Sequence, residues 1–172
     1  MKIKTHDLTI TAIFSAIISI LSVITVPIGT IPISLSLFAI ILTAISLGTK
    51  RGILSVIVYI LIGSLGIPVF SGFKGGFHIL FGPTGGFIFS YIFVALIMSF
   101  SSQKTNKKLT LFYFSLLSLA ICYLIGSFQY ALISKVSFYN SLTVCVYPFI
   151  LFDILKALLA VNIGSKLKKV IK

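Results

Sequence analysis

The stretch from Leu8 to Thr49 reads LTITAIFSAIISILSVITVPIGTIPISLSLFAIILTAISLGT and contains no Asp, Glu, Lys or Arg. A single α-helix needs about 20 apolar residues to cross a bilayer, so this stretch is long enough for two crossings. The turn-forming segment Pro27–Pro32 divides it, because proline and glycine interrupt regular structure. The pattern therefore predicts one helix over Leu8–Val26 and a second over Ile33–Leu47.

The whole chain shares this apolar character. Hydrophobic residues make up 58% of it and charged residues 9%, and the mean hydropathy is +1.20. A soluble domain of this length cannot bury so much apolar surface. We therefore expect residues 1–172 to form one integral membrane domain, all α-helical in its spans. Four more uncharged stretches support this: Gly52–Phe73, Gly75–Gln103, Leu109–Ser134 and Val136–Phe152.

The segment between the third and fourth predicted helices, residues 66–86, is rich in glycine, proline and aromatic residues. Irregular backbone near a membrane is tolerated where it is buried in protein or lines a cavity. We interpret the segment as a capping loop over a site, with a loosely packed outer loop as the alternative. The later helices complete a predicted bundle of six: Ile53–Leu65, Phe87–Phe100, Leu109–Ser134 and Ser141–Ile163.

The basic residues predict the orientation of this bundle. Six helices place both termini on one side, and 11 of the 14 Lys and Arg residues fall on that side. Lys74 and Lys135 fall on the opposite side, and Lys156 lies within the last helix. Under the positive-inside rule both termini are cytoplasmic and the capping loop faces outward. The formal charge of +12 is then explained by topology and lipid headgroups, so no nucleic-acid partner is expected.

The last predicted helix carries an acidic and a basic residue one turn apart, Asp153 and Lys156. Asp153 is one of only two acidic residues in the chain. An ionisable group at the centre of a membrane helix costs about 2.5–3.5 kcal/mol on insertion scales. Groups at i and i+3 share one face and can neutralise each other. The pair predicts a site for a polar small molecule; a structural pair that fixes this helix to a neighbour is the alternative.

Two further motifs each allow two interpretations. The segment Gly82–Gly86 opens the fourth helix, whose free N–H groups can bind a polar ligand. Its glycines can equally serve the close packing of two helix ends. Ala12 and Ala16 form a small-xxx-small pattern that lets another helix approach closely. Taken alone, this pattern favours packing within the same bundle over docking of a partner.

Several chemistries lack the residues that they require. No Gly-Lys-Ser/Thr follows the glycine-rich segments, so the chain has no ATPase machinery. His6 and His78 are far apart, and Cys122 and Cys145 form no Cys-x-x-Cys motif. No nucleophile–base pair supports a membrane-embedded enzyme. We therefore expect no metal, no cofactor and no catalysis.

Several segments carry a resemblance to a known family. The chain resembles, over nearly its whole length, the BioY family, the biotin-specific substrate-binding (S) components of energy-coupling factor (ECF) vitamin transporters. Two weaker matches are residues 31–35 and 47–52. The segments that carry the resemblance are GSLGIPVFSG at 63–72, Gly75-Gly76, LFGPTGGF at 80–87 and PFILFDILKA at 148–157.

The resemblance implies a six-helix protein of the bacterial plasma membrane that binds biotin near its outer face. It also implies partners, a transmembrane coupling protein (T component) and two ATPase subunits. Ala12 and Ala16 match the family's docking surface for the coupling protein. Asp153 and Lys156 match its polar ligand contacts, and Lys74 falls near the place of a basic residue in the capping loop.

The chemistry of biotin suits these residues. Asp153 can accept hydrogen bonds from the ureido N–H groups, Lys156 can donate to the ureido carbonyl, and Lys74 can pair with the valerate carboxylate. Tyr59, Phe70 and Phe73 are expected to pack against the thiophane ring. The full set of predicted substrate contacts is Asp153, Lys156, Lys74, Tyr59, Phe70, Phe73, Thr84, Gly85 and Gly86.

The chain departs from the family pattern at two places. Ser34-Leu35-Ser36-Leu37 stands where the family usually has Thr-Leu-Gln-Thr, and Phe87 stands where it usually has tyrosine. Both departures affect individual ligand contacts. Two alternatives remain open: an S component for a different vitamin, or a stand-alone secondary transporter that couples protons through Asp153.

Overall fold

The computed structural model describes residues 5–26 and 32–171. The two ends of the α1–α2 connection form an antiparallel ribbon of β1 (Thr25–Val26) and β2 (Ile33–Ser34), with Thr25 opposite Ser34. Residues 27–31 of the predicted Pro27–Pro32 connection lie outside the described residues. The helices are α1 Thr5–Val23, α2 Ser36–Leu47, α3 Thr49–Ser64, α4 Phe77–Leu80, α5 Gly85–Lys104, α6 Lys108–Ser134, α7 Phe138–Cys145 and α8 Ile150–Ile171.

Helix α2 forms the centre of the bundle. It packs against α1, α3, α5 and α8, and 10 of its 12 residues are buried. Ile40, Ile41 and Ile45 are completely buried in the core. A helix that is apolar on every side is typical of such a buried position.

Small residues bring the neighbouring helices together. A side chain at Gly126 of α6 would lie 2.3 Å from the Phe87 ring, so the α5–α6 contact needs a glycine there. Between α1 and α3, the Ser15 hydroxyl donates to the carbonyl of Ser55 at 2.9 Å. The Ser55 hydroxyl donates in return to the carbonyl of Thr11 at 3.2 Å. Close backbone approach and interhelical hydrogen bonds are the usual means of packing helices in lipid.

Three helices in the described ranges, α1, α5 and α6, are long and apolar enough to cross a membrane. Helices α7 and α8 provide a fourth candidate if the bent pair forms one span. Helix α2 has 12 residues, a length of about 18 Å. The hydrocarbon core of a bilayer is about 30 Å thick, so α2 alone is short for a crossing. The structure is thus a largely helical membrane protein with three to four candidate spans among the described residues.

The prediction of one continuous helix over Ser141–Ile163 is wrong. Helix α7 ends at Cys145, α8 begins at Ile150, and the two are bent by 58°. Pro148 lies in the break, where its ring removes a backbone donor and disfavours helical geometry in the preceding residue. As a result Asp153 lies in the first turn of α8 and not in the middle of a continuous helix.

The basic helix ends meet at one end of the bundle. An Arg51 Nη2 atom at the start of α3 lies 2.5 Å from Asp7 Oδ1 on α1. Lys108 of α6 donates from Nζ to Asn162 Oδ1 of α8 at 2.8 Å. Lys168 of α8 donates to a main-chain carbonyl at the end of α5. These contacts link five helices, α1, α3, α5, α6 and α8.

Candidate ligand-binding site

A partly open cavity lies at the end of the bundle remote from the basic helix ends. It is bounded by β2, the start of α2, the second half of α3, the loop before α5, the start of α5 and the α7–α8 break. Its wall is mainly aromatic and apolar with a few polar groups, as is typical of small-molecule sites. The aromatic residues that line it are Tyr59, Phe70, Phe87, Tyr91, Tyr123 and Phe149.

One wall of the cavity carries a buried ion pair. Lys156 Nζ donates to Asp153 Oδ1 at 2.8 Å and to the main-chain carbonyl of Ser34 at 2.7 Å. The Tyr123 hydroxyl donates to Asp153 Oδ2 at 2.6 Å. The Asp153 side chain is 6% exposed, and it lies at the positive end of the α8 dipole. Three favourable interactions thus compensate for the desolvation of this carboxylate.

The ion pair keeps part of its hydrogen-bonding capacity. An ionised carboxylate has about four lone-pair sites, and Asp153 uses two of them in the described structure. An ammonium group has three N–H donors, and Lys156 uses two. Acceptors and a donor therefore stand side by side at the cavity wall. This arrangement is complementary to a ligand that presents N–H groups next to a carbonyl.

A short turn in the loop after α3 brings two predicted residues to the cavity. Phe70 and Lys74 exchange backbone hydrogen bonds of 2.9 and 3.2 Å, which closes a tight loop. Gly72 (φ +76°) and Phe73 (φ +57°) form its tip. Both Phe70 and Lys74 line the cavity, whereas Phe73 does not and is 70% exposed. Phe73 thus lies outside the cavity lining, and its contact with the ligand ring stays a prediction.

The same loop is fixed to α3. The Phe70 ring meets Tyr59 edge to face, with centroids 5.7 Å apart, and both side chains are almost completely buried. A side chain on Gly63 would lie 2.3 Å from the Phe70 ring, so this glycine provides the space that the ring fills. The N–H of Gly76 donates to the carbonyl of Gly63 at 2.7 Å. Tyr59 and Phe70 thus form a rigid aromatic wall.

The residues at the start of α5 have two different roles: one lines the cavity, and two allow close packing. Thr84 lines the cavity, but Gly85 and Gly86 do not. A Cβ atom on Gly85 would lie 1.8 Å from the Leu80 carbonyl oxygen, and one on Gly86 would lie 2.7 Å from the main chain of α6. Of the two interpretations of this motif, close packing accounts for the paired glycines. The Gln129 amide also holds the loop, donating at 2.9 Å to the carbonyl of Leu80.

The structure therefore brings together six of the nine predicted contacts, namely Asp153, Lys156, Lys74, Tyr59, Phe70 and Thr84. Sequence analysis missed Tyr123, which lies 30 residues from Asp153 on another helix. It also missed Tyr91 and Ser71. Phe87, a departure from the family pattern, lines the cavity with its ring. Periodicity gave no signal for these residues, because their common location depends on how the helices pack.

Ala12 and Ala16 lie on the outer face of α1, and both are exposed. The inner face of that helix uses Thr11 and Ser15 for its contact with α3. Neither alanine therefore contributes to the packing of α1 against the described part of the bundle, which leaves this strip uncovered.

No group of three or more His, Cys, Asp or Glu side chains that could hold a metal occurs in residues 5–26 and 32–171. Fold and site together define a class: a helical membrane protein with a partly open, largely aromatic cavity near one end of its bundle. The BioY family matches this chain over residues 1–172. The chain therefore belongs to the BioY family, which confirms the resemblance drawn from its motifs.

Known proteins resemble the chain over almost its full length. The probable biotin transporter BioY of Pyrococcus horikoshii is 39% identical over 165 residues, which is 96% of this chain and 98% of that protein. The biotin transporter BioY of Thermotoga maritima is 35% identical over 162 residues, or 91% and 92% of the two chains. A crystal structure of the S-component for biotin from an ECF-type ABC transporter superposes with a TM-score of 0.89 at 27% identity. That match covers 98% of this chain and 95% of the other.

Proposed function

We propose that the protein binds biotin in this cavity and takes it up as the substrate-specific S component of an ECF-type transporter. The observation that carries the proposal is the Asp153–Lys156 wall, which has unused acceptors beside an unused donor. The ureido ring of biotin presents N–H groups beside a carbonyl, the complementary pattern. The relatives named as biotin transporters support this choice of ligand.

The rest of the cavity suits the rest of the ligand. Tyr59 and Phe70 offer an apolar wall for the thiophane ring. Lys74 makes no side-chain hydrogen bond or ion pair with the described residues, so its ammonium group is available to the valerate carboxylate. Charge-assisted hydrogen bonds are stronger than those between neutral groups, which suits tight binding of a small ligand.

We propose a six-span arrangement in the bacterial plasma membrane, with both termini cytoplasmic and the cavity facing outward. The β1–β2 ribbon precedes α2 and adds to the length of this short segment. Helices α7 and α8 form the last, bent crossing. Cysteines at Gln103 and Lys169 should react only with reagents added from the cytoplasmic side. Cysteines at Lys74 and Lys135 should react from outside, and labelling of Gln103 and Lys135 from the same side would contradict the arrangement.

We propose that the exposed strip of Ala12 and Ala16 docks a transmembrane coupling protein. Small side chains allow close helix approach, and the strip has no partner within the described bundle. The sequence contains no nucleotide-binding motif, so uptake driven by ATP depends on separate ATPase subunits, two in the arrangement proposed here.

The ligand is tested by purifying the protein without added vitamin and identifying bound small molecules by mass spectrometry. We expect biotin to co-purify, and a titration panel of vitamins to show saturable binding of biotin alone. Tight binding of another vitamin, with none of biotin, would replace the ligand and keep the S-component scaffold. Uptake that collapses with an uncoupler at constant ATP would instead indicate a proton-coupled secondary transporter.

A further inference from the structure

A hydroxyl group in the cavity wall has no protein partner. The Oγ atom of Ser71 is buried, and it makes no hydrogen bond with the described residues. Other buried hydroxyls in the described ranges share this property, including those of Thr43 and Ser127. Among them only Ser71 lines the cavity. A buried hydroxyl without a partner is costly, and a ligand atom is a direct way to satisfy it.

Ser71 lies in the same short turn as a cationic residue, Lys74. Residues 70 and 74 close the turn by two backbone hydrogen bonds, so Lys74 is one of its closing residues and Ser71 is the first residue inside it. Both side chains line the cavity. One short turn thus contributes a serine and a lysine to the lining of the same cavity.

The charges that line the cavity favour an anion at this turn. Asp153 and Lys156 neutralise each other, so Lys74 leaves the described lining with one net positive charge. A carboxylate would balance that charge and accept from both groups. A neutral oxygen would leave the ammonium group uncompensated.

We propose that Ser71 is a specificity-determining residue that donates a hydrogen bond to the ligand's carboxylate, beside the ammonium group of Lys74. This inference rests on the proposed function and assigns the part of the site that recognises the tail. It separates two halves of the cavity: the Asp153–Lys156 wall binds the ring, and the turn at residues 70–74 reads the charged end.

The test compares two ligands on the purified full-length protein: biotin, and an analogue whose tail ends in a methyl group. Ser71→Ala should weaken biotin binding by about tenfold, the effect of one hydrogen bond to a charged group. It should change binding of the analogue by less than about twofold, because that ligand has no carboxylate to lose. Ser71→Thr, which keeps the hydroxyl, should restore most of the affinity for biotin.

The matched control is Ser127→Ala, which removes a buried and equally unpartnered hydroxyl that does not line the cavity. It should leave both affinities unchanged. The ligand-free Ser71→Ala protein should melt at the same or a higher temperature, because no protein hydrogen bond is lost.

Equal losses for the two ligands, unchanged biotin affinity, or a lowered melting temperature of the ligand-free variant would each overturn the role of Ser71. Wild-type protein that binds no biotin would overturn this inference together with the proposed function. Wild-type binding with unchanged Ser71→Ala affinity would overturn the role of Ser71 alone.

Discussion

The only two acidic residues of the chain, Asp7 and Asp153, lie at opposite ends of the bundle, and each pairs with a cation. Asp7 lies 2.5 Å from Arg51 at the basic end, and Asp153 lies 2.8 Å from Lys156 at the cavity. The Asp7 side chain is 30% exposed, whereas that of Asp153 is 6% exposed. The pairs have similar distances, but the side chains of the Asp7 pair are partly exposed, although Asp7 Oδ1 itself is buried, whereas those of the Asp153 pair are largely buried.

That difference determines what each pair can do. An accessible ion pair is screened by water and contributes about 0–1 kcal/mol, so it links two helix ends without much effect on either. A buried pair depends on every partner, because removing one leaves an uncompensated charge. Asp153 has such partners in Lys156 and Tyr123, and it adjoins space for a ligand. Two ion pairs in one small protein can therefore have separate roles, one architectural and one in recognition.

The largest effect is expected from Asp153→Ala, which should weaken biotin binding by at least about a hundredfold. The change leaves the charge of Lys156 without its carboxylate partner, with only the Ser34 carbonyl as acceptor, and it removes the acceptor proposed for the ligand's N–H groups. Lys156→Ala should act similarly, and the double variant should lose less than the sum of the two single losses. Biotin titrations with melting of the ligand-free forms measure this. Unchanged affinity with a lower melting temperature would make the pair structural instead.

The next effect concerns the exposed face of α1. Ala12→Leu combined with Ala16→Leu should prevent assembly with the coupling protein and leave biotin affinity unchanged, because the strip lies outside the cavity. Co-purification of the coupling protein measures assembly. The control is Ala120→Leu, a change at an exposed alanine on α6. Full assembly of the double variant would refute the docking role.

A smaller effect is expected from Tyr123→Phe. The variant loses the 2.6 Å hydrogen bond to Asp153 but keeps the ring in the cavity wall. Biotin affinity should fall by about tenfold, since the carboxylate loses one of its positioning donors. Calorimetric titration with biotin measures the affinity, and Tyr113→Phe, a change at an exposed tyrosine of α6, is the control. A loss as large as that of Asp153→Ala would mean that Tyr123 contacts the ligand itself.

The smallest effect is expected from Asp7→Ala at the basic end. Because the side chains of the Asp7–Arg51 pair are partly exposed, its loss should cost about 1 kcal/mol of stability. Biotin affinity should not change, since the cavity lies at the other end of the bundle. Thermal melting measures the stability, and a biotin titration measures the affinity. A clear fall in affinity would show that the two ends are coupled, and the Asp7–Arg51 pair would then not be purely architectural.

Several features of the site could be predicted from local sequence. Asp153 and Lys156 are one helical turn apart, so their pairing follows from helix geometry in any fold. Lys74 and Phe70 were identified through family motifs, and both line the cavity. The break between α7 and α8 was missed because hydrophobicity continues through it, although Pro148 is a local signal.

The sequence by itself determined that this is a helical membrane protein of the BioY family, because length, hydropathy and motifs are properties of contiguous segments. The tertiary structure alone decided which side chains meet. Tyr123 reaches Asp153, Ser71 is left without a partner at the cavity, and Ala12 faces outward. These features depend on helix rotation and packing. Lipid and the protein interior are both apolar, so a membrane helix can be apolar on every side. Its sequence then shows little periodicity that would reveal which face points inward.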